Sequence, residues 1–599
     1  MILKKIKMKA RIYITLTIVT ALALASCKKS YLDKPLTGAL ETPLLETKEG
    51  VKGVLIGAYA ALDGQQGGDA AIGGGNAWET PPDNWIYGGL TGGDASKGSN
   101  AGDITEINSI LKFTSDASNG FYNSKWKADY EGLSRANTVL KLVAKVSAFT
   151  DDEKKNIIGQ ARFLRAHYYF DLKKMFNNVP YIDETTTDFN QPNTDDIWPK
   201  ITDDLKYAYE NLPNTQPDAG RANKWAAGAY LGKAYLYQKL YAEARPVFDA
   251  VIAQGVTANG KKYDLNELFD DNFRAATNNS KESVFAVQTA ANADPDGPSN
   301  ANNGDMLNFP YGNSSPFSCC GFYQPSIDLV NHFRTDAAGL PFLDAYNDNA
   351  IKNDMNLGSD DNFTPDTKNI DPRLDWTVGR RGIPYLDWGI HPGNDWIRDQ
   401  AYGGPYSPLK NVYGQELQDT EGDNHSWAPG SGINYNIIRF ADVLLMAAEV
   451  EAQLGDFAKA ESYVNRVRER AALPEGWVHK YLDDEDPTGG FSDEPAANYK
   501  IGTYPLGYFS SKELSLKAIY FERKIELAME GHRFFDLVRW GIADTELNAY
   551  FTYQGKLTND VRGGRFTKNK NEYYPIPQRQ IDLSAAGGAA KLKQNPGYH

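Results

Sequence analysis

The chain has 599 residues, a formal net charge of −14 and only three cysteines, and these features exclude several classes of protein. An acidic chain offers no broad basic surface, so we expect no binding to nucleic acid. Cys319 and Cys320 are adjacent, so they cannot join distant segments, and a disulfide scaffold is excluded. The sequence leaves open whether this pair forms a vicinal disulfide or remains as two free thiols.

The first 27 residues have the pattern of a bacterial lipoprotein signal. Basic residues precede an apolar run at 12–25, which ends in Leu-Ala-Ser-Cys at 24–27. This run is shorter than the roughly 20 residues that a membrane-spanning helix needs, and no later run is long enough. We therefore predict a signal peptide at 1–26, lipid attachment at Cys27 and a lipid-anchored tether over 27–50. Two or three acyl chains would make the attachment stable.

The rest of the chain alternates between helical patterns and loops rich in Gly, Asn and Asp. Apolar spacing predicts helices at about 47–62, 121–147, 151–177, 223–239, 241–254, 435–454, 456–472 and 512–540, before a short irregular C-terminus. The fold class is therefore predicted to be mainly α, as a single domain over 51–599. Its helical scaffold covers about 51–62, 104–254, 435–472 and 512–541, and a variable loop-rich lobe covers about 63–103 and 255–434.

Two of the predicted helical pairs look alike. At an offset of 216 residues, Tyr-Ala-Glu-Ala at 241–244 falls on Phe-Ala-Lys-Ala at 457–460. The Leu-Gly-x-x-Tyr spacing at 231–235 resembles a tetratricopeptide (TPR) repeat. Such pairs bury their apolar faces only by stacking on one another. We therefore expect a scaffold of stacked helical pairs, although a long loop-rich insert separates these two in the sequence.

The sequence shows no pattern typical of catalysis. We find no H-E-x-x-H or G-x-S-x-G motif, and the seven histidines have no metal-site spacing, so we predict no cofactor and no metal-binding motif. The sequence leaves open whether a cation is bound. Glu522, Glu526 and Glu530 are the best candidates for the paired carboxylates of a glycoside hydrolase. They lie four residues apart among basic residues, which favours a structural ion-pair network. We therefore predict that the protein is not an enzyme.

Aromatic residues in loops are the stronger functional signal. Six tryptophans fall in predicted loops: Trp78, Trp85, Trp388, Trp396, Trp427 and Trp477. A sugar ring packs its C–H face on an aromatic plane, while its hydroxyls bind Asp, Asn and Arg side chains. The segments 78–87 and 380–396 combine these residue types. The loop-rich lobe is therefore predicted to bind an oligosaccharide.

Four segments resemble the SusD/RagB family of nutrient-binding lipoproteins. They are Gln-Ala-Arg-Phe-Leu-Arg-Ala-His-Tyr-Tyr-Phe at 160–170, Tyr-Asn-Ile-Ile-Arg-Phe-Ala-Asp at 435–442, the stretch 522–540, and Tyr-Pro-Ile-Pro at 574–577. The resemblance implies about four TPR-like helical pairs and a place on the outer membrane, facing the exterior. It also implies a SusC-like TonB-dependent transporter as partner, over which the lipoprotein closes as a lid. The cargo would be an oligosaccharide, with a peptide as the alternative.

Ligand residues vary among members of this family, so no motif transfers them. We predict Trp85 as the stacking platform, with Asp83 and Arg381 binding hydroxyls. Further ligand contacts are predicted at Cys320, Tyr402 and Trp388.

Overall fold

The computed structural model describes residues 42–64, 76–293 and 300–598. Its longer helices are α1 Lys48–Ala60, α2 Thr105–Leu111, α3 Gly120–Lys145, α4 Asp151–Phe176, α5 Trp198–Asn211, α6 Lys224–Tyr237, α7 Tyr241–Gln254, α8 Phe440–Leu454, α9 Phe457–Ala471, α10 Lys512–Glu526, α11 Arg533–Trp540, α12 Ala543–Gln554 and α13 Gln578–Ser584. Shorter α-helical turns are Thr42–Leu45, Ile327–His332, Leu374–Thr377, Gln400–Gly403 and Gln418–Glu421.

Ten short strands form five antiparallel pairs. The strands are β1 Ala95–Gly98, β2 Ser283–Val287, β3 Phe322–Pro325, β4 Val378–Gly379, β5 Ser407–Pro408, β6 Gly422–Asp423, β7 Gly430–Ser431, β8 Tyr435–Arg439, β9 His479–Tyr481 and β10 Phe491–Pro495. The pairs are β1–β3, β2–β8, β4–β5, β6–β7 and β9–β10.

The long helices stack in one continuous array. Helices α3 to α7 each pack on the next along the chain, and α7 packs directly on α8 across the intervening lobe. The look-alike hairpins α6–α7 and α8–α9 are therefore neighbours, and α10 packs against α8 and α9. This arrangement confirms the predicted fold class, a TPR-like helical scaffold that carries a loop-rich lobe.

Local sequence explains where these helices begin and how closely they pack. Thr150 and Glu153 form a capping box at the start of α4, which satisfies free backbone N–H groups at the helix end. In α6, a Cβ added to Gly232 would lie 2.6 Å from the ring of Phe248 in α7. The absence of a side chain at this position therefore lets the two helices of the hairpin approach closely.

The lobe has its own small core and is tied to the scaffold by β8. The core residues are Phe309, Phe317, Tyr385, Trp396, Leu409, Val412, Tyr413 and Ile433. Strand β8 pairs with β2 and runs directly into α8. The ends of the lobe are thus fixed to a rigid helical surface.

Three predictions about the elements are wrong in detail. The segment 435–439 is a strand rather than the start of a helix, because it pairs with β2. The predicted helix 512–540 breaks between α10 and α11, where Gly531 has a φ of 70°. Gly531 also lies against the backbone of Asp83, so that a Cβ added to it would lie 1.7 Å from the Asp83 carbonyl oxygen. The C-terminal part also contains α12 and α13, where we expected irregular structure.

The predicted signal peptide and its Cys27 lie outside the described residues. Among the helices that the structure does describe, none is both long and apolar enough to cross a bilayer.

Candidate functional site

Glu522 and Glu526 of α10 and Glu530, four residues beyond its end, belong to a buried ion-pair network. The network joins the acids Glu282, Asp371, Glu522, Glu526 and Glu530 to the bases Arg373, Lys410, Arg439, Arg468 and Arg470. Burial alone would raise the pKa of Glu526, but the guanidinium groups of Arg470, Arg439 and Arg373 outweigh it and hold that pKa far below its usual value. A general acid would need a raised pKa instead. The predicted structural ion-pair network is therefore confirmed.

Trp85 lies in the protein core. Its side chain is 0% exposed, its Nε1 donates to the Gly304 carbonyl oxygen at 3.1 Å, and its ring packs against Phe322 and Tyr323. The predicted stacking role is wrong, because the single π turn Trp85–Leu90 directs the ring into the core and leaves no face for a sugar.

Asp83 is also buried, which does not fit the hydroxyl-binding role predicted for it. Its Oδ1 accepts the backbone N–H of Trp85 at 3.0 Å, and the side chain lines a small cavity together with Asp305. Burial, reinforced by the Asp305 carboxylate, raises the pKa of Asp83 well above its usual value. Asp83 is therefore part of an interior acidic pair.

Arg381 holds a turn of the lobe. Its guanidinium donates to the carbonyl oxygens of Gly358, Ser359 and Asp361, and it lies over the ring of Phe363. These bonds and its burial do not fit the hydroxyl-binding role predicted for Arg381. The side chain instead fixes the conformation of the 358–361 turn.

Cys320 and Tyr402 lie beneath one surface of the lobe. Both are buried, at 4% and 6% exposed, and their contact with a ligand stays a prediction. A disulfide joins Cys319 to Cys320, and the following residues enter β3, where Phe322 pairs with Gly98 of β1. The ammonium of Lys97, the neighbour of Gly98, lies 5.7 Å from the ring centroid of Phe322 and 5.3 Å from that of Tyr402. The disulfide turn and Tyr402 thus flank the same strand.

Three residues that sequence reasoning missed complete this surface. A Cβ on Gly321 would lie 3.4 Å from Cβ of Tyr311 and 3.8 Å from Cβ of Arg398. The Arg398 guanidinium lies 5.4 Å from the Tyr311 ring centroid, and its Nη1 is 2.7 Å from Oδ2 of Asp103. We refer to Tyr311, Cys319, Cys320, Arg398, Asp103 and Tyr402 as the disulfide surface. These residues come from three distant segments, at 103, 311–320 and 398–402, so no local motif could have predicted the set.

A tryptophan pair forms a second exposed aromatic feature. Of the six loop tryptophans, Trp427 is 65% exposed, and its ring meets the edge of Trp78 at a centroid distance of 5.7 Å. The Ser426 hydroxyl anchors this loop, because its Oγ lies within hydrogen-bond distance of both Oδ1 of Asn303, at 2.8 Å, and Oδ2 of Asp423, at 2.6 Å. The pair therefore offers a flat apolar face to solvent from a fixed loop.

The same stretch of backbone connects the tryptophan pair to the disulfide surface. Asn303 contacts the Trp427 loop, and the Phe309 carbonyl oxygen accepts the N–H of Gly321 at 2.9 Å. Six residues of chain reach at most about 21 Å when fully extended. This length is the upper limit of the distance between Asn303 and Phe309, the residues through which the two features are joined.

Trp388 supports the disulfide turn from the second core. Its Nε1 donates to the Tyr413 carbonyl oxygen at 2.8 Å, and its ring lies 4.8 Å from that of Phe317, two residues before Cys319. The side chain is half-buried, and its contact with a ligand stays a prediction.

Comparison with protein families gives two matches. A family model described as "SusD family" matches residues 281–598. A second, described as "Starch-binding associating with outer membrane", matches residues 86–236.

Individual relatives match over most of the chain. SusD-like protein P2 of Formosa agariphila is 26% identical over 522 residues, which cover 82% of this chain and 83% of the relative. A SusD-like protein of Bacteroides ovatus is 24% identical and covers 97% of this chain and 94% of its own length.

Two solved structures share the fold. A laminarin binding SusD-like protein superposes with a TM-score of 0.64 and 23% identity, covering 92% of this chain and 100% of its own. Surface glycan-binding protein A from Bacteroides thetaiotaomicron, in complex with laminarihexaose, superposes with a TM-score of 0.62 and 21% identity, covering 92% of this chain and 99% of its own.

Proposed function

Because this chain belongs to the SusD family, whose model matches 318 of its 599 residues (281–598), we propose that it binds a glycan at the outer membrane. The description of the second matching family, starch-binding in association with the outer membrane, supports both parts of this proposal. The two structural neighbours named for laminarin and laminarihexaose support an oligosaccharide as the ligand. The ion-pair network around Glu526 favours a binding role over a catalytic one.

The disulfide surface is the observation that carries this proposal. It combines a half-exposed aromatic ring, Tyr311, with an exposed guanidinium and a carboxylate, Arg398 and Asp103. Within the described residues, Oδ1 of Asp103 has no hydrogen-bond partner, so it is available to accept a sugar hydroxyl. The Cys319–Cys320 disulfide lies next to Gly321, whose added Cβ would lie 3.4 Å from Cβ of Tyr311, and Cys319 is partly exposed. This is the chemistry that a sugar ring and its hydroxyls need.

The tryptophan pair extends the proposed site. Exposed aromatic anchors dominate the energetics of many binding surfaces. A glycan long enough to reach from the disulfide surface to the tryptophan pair would pack a sugar unit on the exposed ring of Trp427. This arrangement favours a chain of several sugars over a monosaccharide.

Affinity electrophoresis with a panel of plant, microbial and host polysaccharides, laminarin included, tests the proposal. We expect one polymer to retard the wild-type protein, and Arg398→Ala and Tyr311→Ala to abolish or weaken that retardation. Leu506→Ala is a matched control, because it also removes an exposed side chain but lies outside the disulfide surface. Equal retardation of all three variants would reject the disulfide surface, and binding of peptides alone would reject the glycan.

The proposal also includes a lipid anchor at Cys27 and a SusC-like TonB-dependent transporter as partner. The signal pattern of residues 1–27 supports the anchor, and the resemblance to the family supports the transporter. Mild detergent extraction of outer membranes followed by purification of the tagged full-length protein tests the partnership. We expect a barrel-forming transporter to co-purify in a fixed ratio, and recovery of the lipoprotein without any barrel would contradict this part.

A further inference from the structure

A small cavity of about 50 Å³ lies where the lobe meets the segment that precedes the Trp85–Leu90 turn. Oxygen-bearing side chains converge on it from two distant parts of the sequence. Asp83 comes from one segment, and Asn302, Asp305 and Asn308 come from the other. A cavity of this size and polarity has room for an ion or a few water molecules.

Two buried carboxyl groups face this cavity without a cationic partner. Asp83 and Asp305 are 5% and 6% exposed and lie within hydrogen-bond reach of each other. Oδ2 of Asp305 accepts a hydrogen bond from Asn302 at 2.7 Å. Among the described residues, neither carboxyl group takes part in a salt bridge. Buried charges are normally paired or coordinate a metal, because their desolvation is costly.

The neighbouring cations are already engaged by other acids. Lys410 lines the same cavity, but its Nζ lies 2.7 Å from Oε1 of Glu530. Lys125, whose charge also acts on Asp83, lies 2.6 Å from Oδ2 of Asp171. In the ion-pair network of α10, five bases balance five acids. The Asp83–Asp305 pair therefore has no base of its own to neutralise it.

Two further oxygens at the cavity have no hydrogen-bond partner within the described residues. They are Oδ1 of Asn302 and Oδ1 of Asn308, whose side chains are 6% and 1% exposed. Both residues line the cavity, so their carboxamide oxygens and the two carboxyl groups form an all-oxygen set. An unsatisfied buried acceptor is costly, and a bound cation would satisfy several at once.

We propose that this cavity binds a divalent cation of the Ca²⁺ type, with ligands from Asp83, Asn302, Asp305 and Asn308. Two carboxylates balance the charge of the ion, and Ca²⁺ accepts six to eight oxygens in flexible geometry. Mg²⁺ requires a tighter octahedron and gives up its water reluctantly, so it suits this site less well.

A cation here would link the lobe to the Trp85–Leu90 turn. Trp85 is bonded to both sides of the site, because its backbone N–H binds Asp83 and its Nε1 binds the Gly304 carbonyl oxygen. The ion would therefore fix the 302–308 segment, which leads from the tryptophan pair to the disulfide surface. The cation site does not depend on which ligand the surface binds.

Thermal unfolding and Tb³⁺ luminescence of the full-length protein test this inference. After chelation, we expect added Ca²⁺ to raise the melting temperature progressively and Mg²⁺ to raise it less. Tb³⁺ should bind in competition with Ca²⁺ and luminesce when tryptophan is excited, and Trp85→Phe should reduce that luminescence.

Asp305→Asn is the decisive variant, because it keeps the shape of the side chain and removes one charged ligand. We expect it to fold and, in chelator, to melt at or above the wild-type temperature, because the repulsion between the two carboxyl groups is relieved. We expect it to bind Ca²⁺ about 10–100-fold more weakly than the wild type. Asp484→Asn, in an exposed acidic turn, should behave as wild type. No response of the wild type to millimolar Ca²⁺, or an equal response of Asp305→Asn, would overturn the site.

Discussion

Glu526 provides a sharp test of the buried ion-pair network. Its carboxylate has no exposed surface and lies 2.6 Å from Arg439, 2.7 Å from Arg373 and 2.5 Å from Arg470. Glu526→Gln keeps the shape of the side chain but removes the negative charge that the three guanidinium groups share. Breaking a buried ion pair in this way costs about 3–5 kcal/mol. Because the entropy of unfolding grows with chain length, that loss corresponds to a drop in melting temperature of roughly 2–4 °C for a protein of this size.

Calorimetry of the wild type, Glu526→Gln and Glu469→Gln measures this effect. Glu469 is an exposed glutamate on α9, so its substitution should change stability by less than about 0.5 kcal/mol. A Glu526→Gln protein that melts within 1 °C of the wild type would refute the structural role of the network. A hydrolase would show the opposite pattern, with normal stability and lost turnover.

The same residue makes a prediction about pH. The folded-state pKa of Glu526 lies below its unfolded value, so the folded state binds fewer protons. Its stabilisation is therefore complete above about pH 4.5 and is lost as the pH falls through the folded pKa. Between pH 7 and 3, the melting temperature of Glu526→Gln should fall less steeply with decreasing pH than that of the wild type. An equally steep fall in both proteins would contradict the lowered pKa of Glu526.

Three further substitutions have defined outcomes. Trp427→Ala should weaken binding of a long oligosaccharide at least about tenfold. The melting temperature should not change, because the side chain is mostly exposed. An unchanged affinity in titration calorimetry would exclude Trp427 from the site. Arg381→Ala should make the 358–361 turn sensitive to protease while leaving the rest of the chain resistant, and an unchanged digestion pattern would refute its clamping role. Gly232→Leu should lower the free energy of unfolding by about 1–3 kcal/mol, because the new side chain overpacks against Phe248. An unchanged free energy of unfolding, measured by chemical denaturation, would contradict a close contact between α6 and α7.

The helical scaffold could be predicted because its signals are local. Apolar spacing and the capping box at Thr150 specify α4 within the segment itself, and small residues such as Gly232 mark where neighbouring helices meet. Strand β8 could not be predicted in this way. Its residues also fit a helical pattern, and its pairing with β2, about 150 residues away, decides the outcome.

The candidate site was less predictable because long-range contacts decide which aromatic residues reach the surface. Trp85 and Trp427 both stand in loop-like sequence, yet a hydrogen bond to Gly304 and a π turn bury the first. Cys320 and Tyr402 were predicted individually. Their neighbours Tyr311 and Arg398 were missed, because only the folded lobe places them beside the Cys319–Cys320 turn.

Hydrogen–deuterium exchange with and without bound oligosaccharide tests the central claim most directly. Laminarihexaose is the first probe, followed by fragments of whichever polymer retards the protein. We predict that slowed exchange upon binding is confined to the lobe, at 97–103, 311–322 and 396–402, with additional protection around Trp427. Protection instead in the groove on the helical scaffold lined by Trp126, Phe189 and Leu592 would contradict the proposed site.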